Sequence, residues 1–128
     1  LVGLVCFVMA GCSGQKASLD FEVQPELLSL FSNRDFGRYA GEKGEMNVCF
    51  ISNNDITGGN SGSAMFNARG ELLGLAFDGN WEAMSSDILY EPKMQRCIGV
   101  DVRYILFMIE KYGKAGDLIR ELKIVSGK

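Results

Sequence analysis

The pattern of apolar and polar positions divides the chain into a helical entry, a central run of short strands and a helical close. Over residues 25–31, Leu27, Leu28, Leu30 and Phe31 fall at helical spacing, and Pro25 sits where a first helical turn tolerates proline, so a short helix is expected. Gly37, Gly41 and Gly44 then punctuate a loop. Residues 46–51 alternate, with Met46, Val48 and Phe50 on one face and Asn47, Cys49 and Ile51 on the other, which predicts a strand leading into a loop over 52–63. The apolar runs 64–67 and 71–77 flank Ala68-Arg69-Gly70 and predict a β-hairpin whose turn uses glycine. A second loop, 78–86, holds the only tryptophan, Trp81, and precedes a strand around 97–100. Val102, Ile105, Leu106, Ile109 and Tyr112 repeat at helical spacing and predict an amphipathic helix over 101–112 with Asp101 as N-cap. A second helical stretch, 117–123, closes the chain. The fold class read from this pattern is mainly β with C-terminal α-helices.

Composition narrows the classes without naming a function. A chain of 128 residues with 47% hydrophobic positions is long enough for one domain with a core, and 16 glycines against 2 prolines suit strands and turns. The net charge is −3 and no basic run exists to neutralise phosphates, so nucleic acid is not an expected partner. Residues 1–12 are apolar, too short to span a bilayer but of the length of a signal-peptide core. Met9-Ala10-Gly11-Cys12-Ser13 is similar to the lipobox of bacterial lipoproteins, which makes Cys12 a candidate lipidation site and ties any membrane partner to that residue. The chain opens on Leu1 and no Lys or Arg precedes Lys16, so residues 1–19 read either as a truncated lipoprotein signal or as an unrelated N-terminal edge. Cys49 and Cys97 remain in the body. With no CxxC and no histidine they fit no metal pattern, and two buried thiols are favoured over a disulfide.

Candidate chemistry concentrates in Gly58-Gly59-Asn60-Ser61-Gly62-Ser63, which presents a serine on a glycine-rich turn between strands. Glycines there permit positive φ and expose amide N–H groups able to stabilise the oxyanion of an attacked carbonyl. A serine hydroxyl needs a base, usually histidine, and the chain contains none. Ser63 replaces the closing glycine of the α/β-hydrolase elbow, and strands follow instead of a helix, which argues against that fold. A phosphate loop fares worse, since no Gly-Lys-Ser/Thr follows and no helix opens at the glycines. Spacing by itself leaves a nucleophile turn and an ordinary glycine-rich hairpin loop both open.

The longer string from Asn54 to Ser63, followed by Gly74-Leu75-Ala76-Phe77-Asp78-Gly79-Asn80-Trp81-Glu82-Ala83-Met84, closely resembles the chymotrypsin-like bacterial dipeptidyl-peptidases, the family of dipeptidyl-peptidases 7 and 11. The similarity continues through Gln95-Arg96-Cys97-Ile98 and from Val100 to Phe107, and covers about Asp20 to Leu122. The resemblance implies a serine exopeptidase that releases dipeptides from the free N-termini of oligopeptides, in the periplasm or at the bacterial surface. It implies residues 20–128 as the C-terminal part of the catalytic domain, a portion of the second barrel of a chymotrypsin-like double β-barrel. Ser61 matches the nucleophile, and the amides of Gly59 and Ser61 the oxyanion hole. The family's histidine and aspartate lie upstream, in a region this chain lacks, so the missing N-terminal half is an implied partner and the chain by itself is expected to be inactive. Asp78 matches the carboxylate that binds the substrate's α-amino group, and Gly79 the position occupied by arginine in acidic-preferring members. An open pocket without a cation there leads to an expected preference for hydrophobic second residues. Asp55 is expected to cap its loop, Trp81 to pack the 78–86 loop, and Ala64 stands where proline is usual. Serine acyl transfer uses no metal or cofactor, and none is expected. The alternative reading is a lipid-anchored remnant that binds peptide without turnover.

Overall fold

The computed structural model describes residues 22–125. The candidate signal segment 1–19, with Cys12, lies outside the described residues.

Helix α1 (Pro25–Ser32) opens the described chain with proline in its first turn, as the spacing predicts. A 3-10 turn over Gly37–Tyr39 follows. Four strands come next: β1 (Cys49–Ser52), β2 (Ala64–Phe66), β3 (Leu72–Gly79) and β4 (Cys97–Asp101). They form one antiparallel sheet in the order β1-β4-β3-β2. β2 and β3 are the expected hairpin, with Gly70 at φ +73° in the turn. Strand β1 begins later than the alternation predicts: a turn closed by the Gly41 N–H on the Glu45 carbonyl (2.7 Å) comes before it, and the Asp101 amide reaches back to the Val48 carbonyl at 2.9 Å.

The stretch expected as a loop over 78–86 is ordered. Strand β3 runs on through Gly79, and Trp81–Ser85 forms a second 3-10 turn. Trp81 is 81% exposed and does not pack that loop, which corrects the sequence expectation. Helix α2 (Val102–Phe107) starts at the expected cap, the Asp101 side chain accepting from the Arg103 amide at 2.8 Å. It passes into a π-turn over Met108–Tyr112, and α3 (Gly116–Arg120) ends earlier than predicted.

The main core lies on the helical side. Phe36, Tyr39, Leu106, Phe107 and Ile119 are buried together, and Phe31, Phe36 and Phe107 meet edge to face at 5.1–5.8 Å. Across the sheet, Phe50 lies over the bare backbones of Gly74 and Gly99. A β-carbon at Gly74 would collide with the Val100 carbonyl oxygen at 1.9 Å and the Phe50 ring at 2.8 Å, and one at Gly99 with Phe50 and the Met65 sulfur. Cys49 and Cys97 are free thiols in different registers of the β1–β4 ladder.

Candidate active site

The loop between β1 and β2 is tied to β3 immediately beyond the hairpin ladder. The Gly62 amide donates to the Ala76 carbonyl at 2.7 Å and the Ala76 amide to the Ser63 carbonyl at 2.8 Å. The turn itself closes through Asn60, whose Oδ1 accepts from the Thr57 amide at 2.9 Å while its amide donates to the Thr57 carbonyl at 3.2 Å. Asn60 therefore caps the loop. Asp55 has no hydrogen bond to another described residue and lines a different cleft, with Ser52 and Cys97, so the capping role expected of it is corrected. The sequence signal for Asn60 is its position three residues after Thr57, where an Asx side chain reaches back to a backbone amide.

Gly59 and Gly62 adopt φ +95° and +88°, with open space where a β-carbon would stand. Glycine is required here by backbone conformation and not by crowding. Ser61 is exposed between them, its hydroxyl donating to the Phe77 carbonyl at 3.4 Å. Neither the Gly59 nor the Ser61 amide donates to another described residue, which leaves two N–H groups free on the turn that carries the hydroxyl.

Strand β3 supplies the opposite wall. Its register with β4 skips Phe77: Ala76 pairs with Gly99 and Asp78 with Ile98. In an antiparallel ladder paired residues share a face, so this bulge turns Asp78 to the face opposite Ala76. Apolar residues on both faces from Leu72 to Phe77 hid the bulge from sequence alternation. Asp78 Oδ1 accepts from the Gly79 amide at 2.8 Å, and the second carboxylate oxygen has no described partner.

Ser61, Asp78 and Gly79 line one cleft of about 250 Å³, together with Ile56, Ala83, Met84 and a second carboxylate, Asp87. The structure thus brings together the hydroxyl, the carboxylate and the bare glycine singled out in the sequence, with Gly59 two residues before Ser61 on the same turn. Missing from that reading were Ala83 and Ile56 in the cleft and Gln95 behind it. Burial pushes the Cys97 thiol up, and burial and then the neighbouring Asp101 carboxylate push up Cys49. Both thiols are thereby weakened as nucleophiles. Chemically, the cleft sets a hydroxyl in the same space as a carboxylate able to receive a cation, and the turn that carries the hydroxyl also carries two unpartnered amides.

An exposed serine on a glycine turn, beside a carboxylate and on an antiparallel sheet, has the makings of a serine peptidase site. The family model for Peptidase S46 matches residues 8–124, and the chain belongs to that family. It is 61% identical over 110 residues to Dipeptidyl-peptidase 7 of Porphyromonas endodontalis, covering 86% of this chain and 13% of that protein. It is 49% identical over 106 residues to an Asp/Glu-specific dipeptidyl-peptidase of Capnocytophaga gingivalis, covering 83% of this chain and 15% of that protein. The crystal structure of Porphyromonas endodontalis DPP11 with the dipeptide Arg-Asp superposes with a TM-score of 0.84 at 43% identity, over 91% of this chain and 16% of that one. The chain therefore spans about one-seventh of the length of these relatives.

Proposed function

We propose that this chain carries the nucleophile and part of the substrate cleft of a serine-type dipeptidyl-peptidase that prefers a hydrophobic residue at the substrate's second position. The observation that carries the reading is the convergence of Ser61, Asp78 and Gly79 on one cleft, with the Gly59 and Ser61 amides unpartnered among the described residues. Ser61 Oγ attacks the carbonyl carbon of the second residue, and its proton passes to an imidazole contributed from outside this chain, which has no histidine. The carbonyl oxygen becomes the oxyanion and accepts from the Gly59 and Ser61 amides. The substrate's α-ammonium docks on the free oxygen of Asp78, and that fixed distance sets the length of the acyl group at two residues.

The preference is argued from the lining of the cleft, where Ile56, Phe77, Ala83 and Met84 supply apolar surface beside Gly79, and where the charged residues, Asp78 and Asp87, are both anionic and would repel an acidic side chain. In the same reading, the four-stranded sheet is a portion of the second barrel of a double β-barrel, its open edges β1 and β2 awaiting strands from elsewhere. Export to the periplasm or cell surface belongs to the proposal as well.

The deciding experiment uses the full-length peptidase assembled from residues 22–125 and the remainder of the Porphyromonas endodontalis relative. A fluorophosphonate probe should label Ser61, and Ser61→Ala should abolish both labelling and dipeptide release. Turnover that survives Ser61→Ala refutes the mechanism. Faster release after Asp than after Leu refutes the hydrophobic preference, and peptide binding without labelling favours a non-catalytic peptide binder.

A further inference from the structure

Gly79 ends β3 opposite Cys97 of β4. A β-carbon built on it would stand 2.8 Å from the Ala83 β-carbon, with Ile56 Cγ2 at 3.7 Å. The bare face of Gly79 therefore looks straight at the Ala83 methyl group, and both residues line the cleft that holds Ser61 and Asp78. That methyl fills the space a side chain at position 79 would take.

The wall is fixed from behind. Asn80 pairs with Arg96 through its own amide (2.9 Å to the Arg96 carbonyl) and through its Oδ1 (2.8 Å from the Arg96 amide). The Ala83 amide in turn donates to the Asn80 carbonyl at 2.9 Å. Gln95 is 3% exposed, and its Nε2 donates to the Glu82 carbonyl, the Ser85 hydroxyl and the Leu89 carbonyl at 3.0–3.2 Å. The Ser86 hydroxyl closes the other side on the Ile56 carbonyl at 3.1 Å. A turn held at so many points does not yield readily to a side chain pressing on Ala83.

We propose that Ala83 is a specificity-determining residue, whose methyl group limits the size of the side chain that the substrate's second residue can lay in the cleft. The inference rests on the peptidase reading above. It makes selectivity a property of two residues in contact on one wall of the cleft, one on the strand and one on the turn. Added carbons at position 83 fill the cleft from the turn side and exclude long or aromatic side chains first. Removing the methyl enlarges the same space.

The test compares kcat/KM on dipeptidyl substrates with Ala, Leu or Phe at the second position, using the assembled full-length peptidase and its Ala83→Leu, Ala83→Val and Ala83→Gly variants. Ala83→Leu should lower the Phe-to-Ala ratio of kcat/KM by roughly 10-fold or more, Ala83→Val by less, and Ala83→Gly should raise it. Probe labelling of Ser61 in each variant reports that the site is assembled, and the Val and Gly variants decide the matter if leucine disturbs the turn. Ratios that stay constant across the series, or fall equally for all three substrates, overturn the role of Ala83. A parent enzyme that releases no dipeptide, or still releases it after Ser61→Ala, overturns the peptidase reading and this proposal with it.

Discussion

Gly62 and Gly58 make a controlled comparison within one turn. A β-carbon at either position meets open space, yet only Gly62 has positive φ, at +88°. Gly62→Ala should therefore lower stability by roughly 1–2 kcal/mol in urea unfolding of the assembled peptidase, while Gly58→Ala stays near the parent. Equal effects at the two sites would contradict the conformational argument. Asp78 makes a sharper case, because Asn at this position keeps an oxygen for the Gly79 amide and loses only charge. Removing a charge-assisted hydrogen bond worth about 1.5–3 kcal/mol should reduce kcat/KM roughly 10- to 100-fold for Asp78→Asn. Substrates with an acetylated amino group have no ammonium to dock, and parent and variant should hydrolyse them at equal, low rates. Equal losses on free and acetylated substrates would instead indicate a structural role for Asp78.

The elements around the sheet are held by polar groups that hydrophobic patterning does not see. Helix α2 passes into its π-turn at Met108, and the wider turn presents Glu110 to Arg38 (3.1 Å) and to the Tyr39 hydroxyl, and Lys111 to Asp35 (2.7 Å). The Tyr39 hydrogen bond, helped by Arg38, holds the Glu110 carboxyl below its usual range, while burial and then Glu110 push the Tyr39 phenol up. The two groups act at opposite ends of the pH scale. Glu110 lends stability above the unfolded carboxylate value of about 4, lost as pH falls through the lower folded value, and Tyr39 lends stability below about 10, lost as pH rises through the higher folded value. Thermal unfolding against pH should show both limbs, and Glu110→Gln should flatten the acid one; an unchanged acid limb would exclude this cluster. The strands and main helices were legible because alternation, helical spacing and turn glycines each favour one state there. The 3-10 turn Trp81–Ser85 was not, since five residues are too few to carry a period. Gln95 left no sequence signal either, because a buried amide has meaning only through the carbonyls that gather around it. Ser61, Asp78 and Gly79 were legible through the family-like string and not through spacing. The bulge that aims Asp78 depends on pairing with β4, about twenty residues away in sequence.

At the scale of the molecule the burial is lopsided. The helices enclose Phe107 completely, whereas Ile51, Phe66, Leu72, Leu73 and Phe77 on the sheet are 42–60% exposed. Edge strands β1 and β2 stand at opposite ends of the sheet order, and neither pairs with a further described strand. Unpaired edges flanked by apolar side chains are templates for self-association. Fully burying one such side chain contributes about 1.5–3 kcal/mol, so a handful of half-exposed ones supplies enough driving force for copies to associate at micromolar concentration, even after the entropy of association is opposed to it. Residues 22–125 prepared without the rest of a peptidase should therefore elute as oligomers whose size grows with concentration, and should bind a hydrophobic dye. Phe66→Lys, which puts a charge on edge strand β2, should shift the population towards monomer and weaken dye binding, while Leu28→Lys, on α1 and away from the sheet, should not. A parent that stays monomeric and dye-silent across the same concentrations would mean that the sheet face is stable in water. The sheet face would then need no further chain to cover it, while the chemistry of the Ser61 cleft would be untouched.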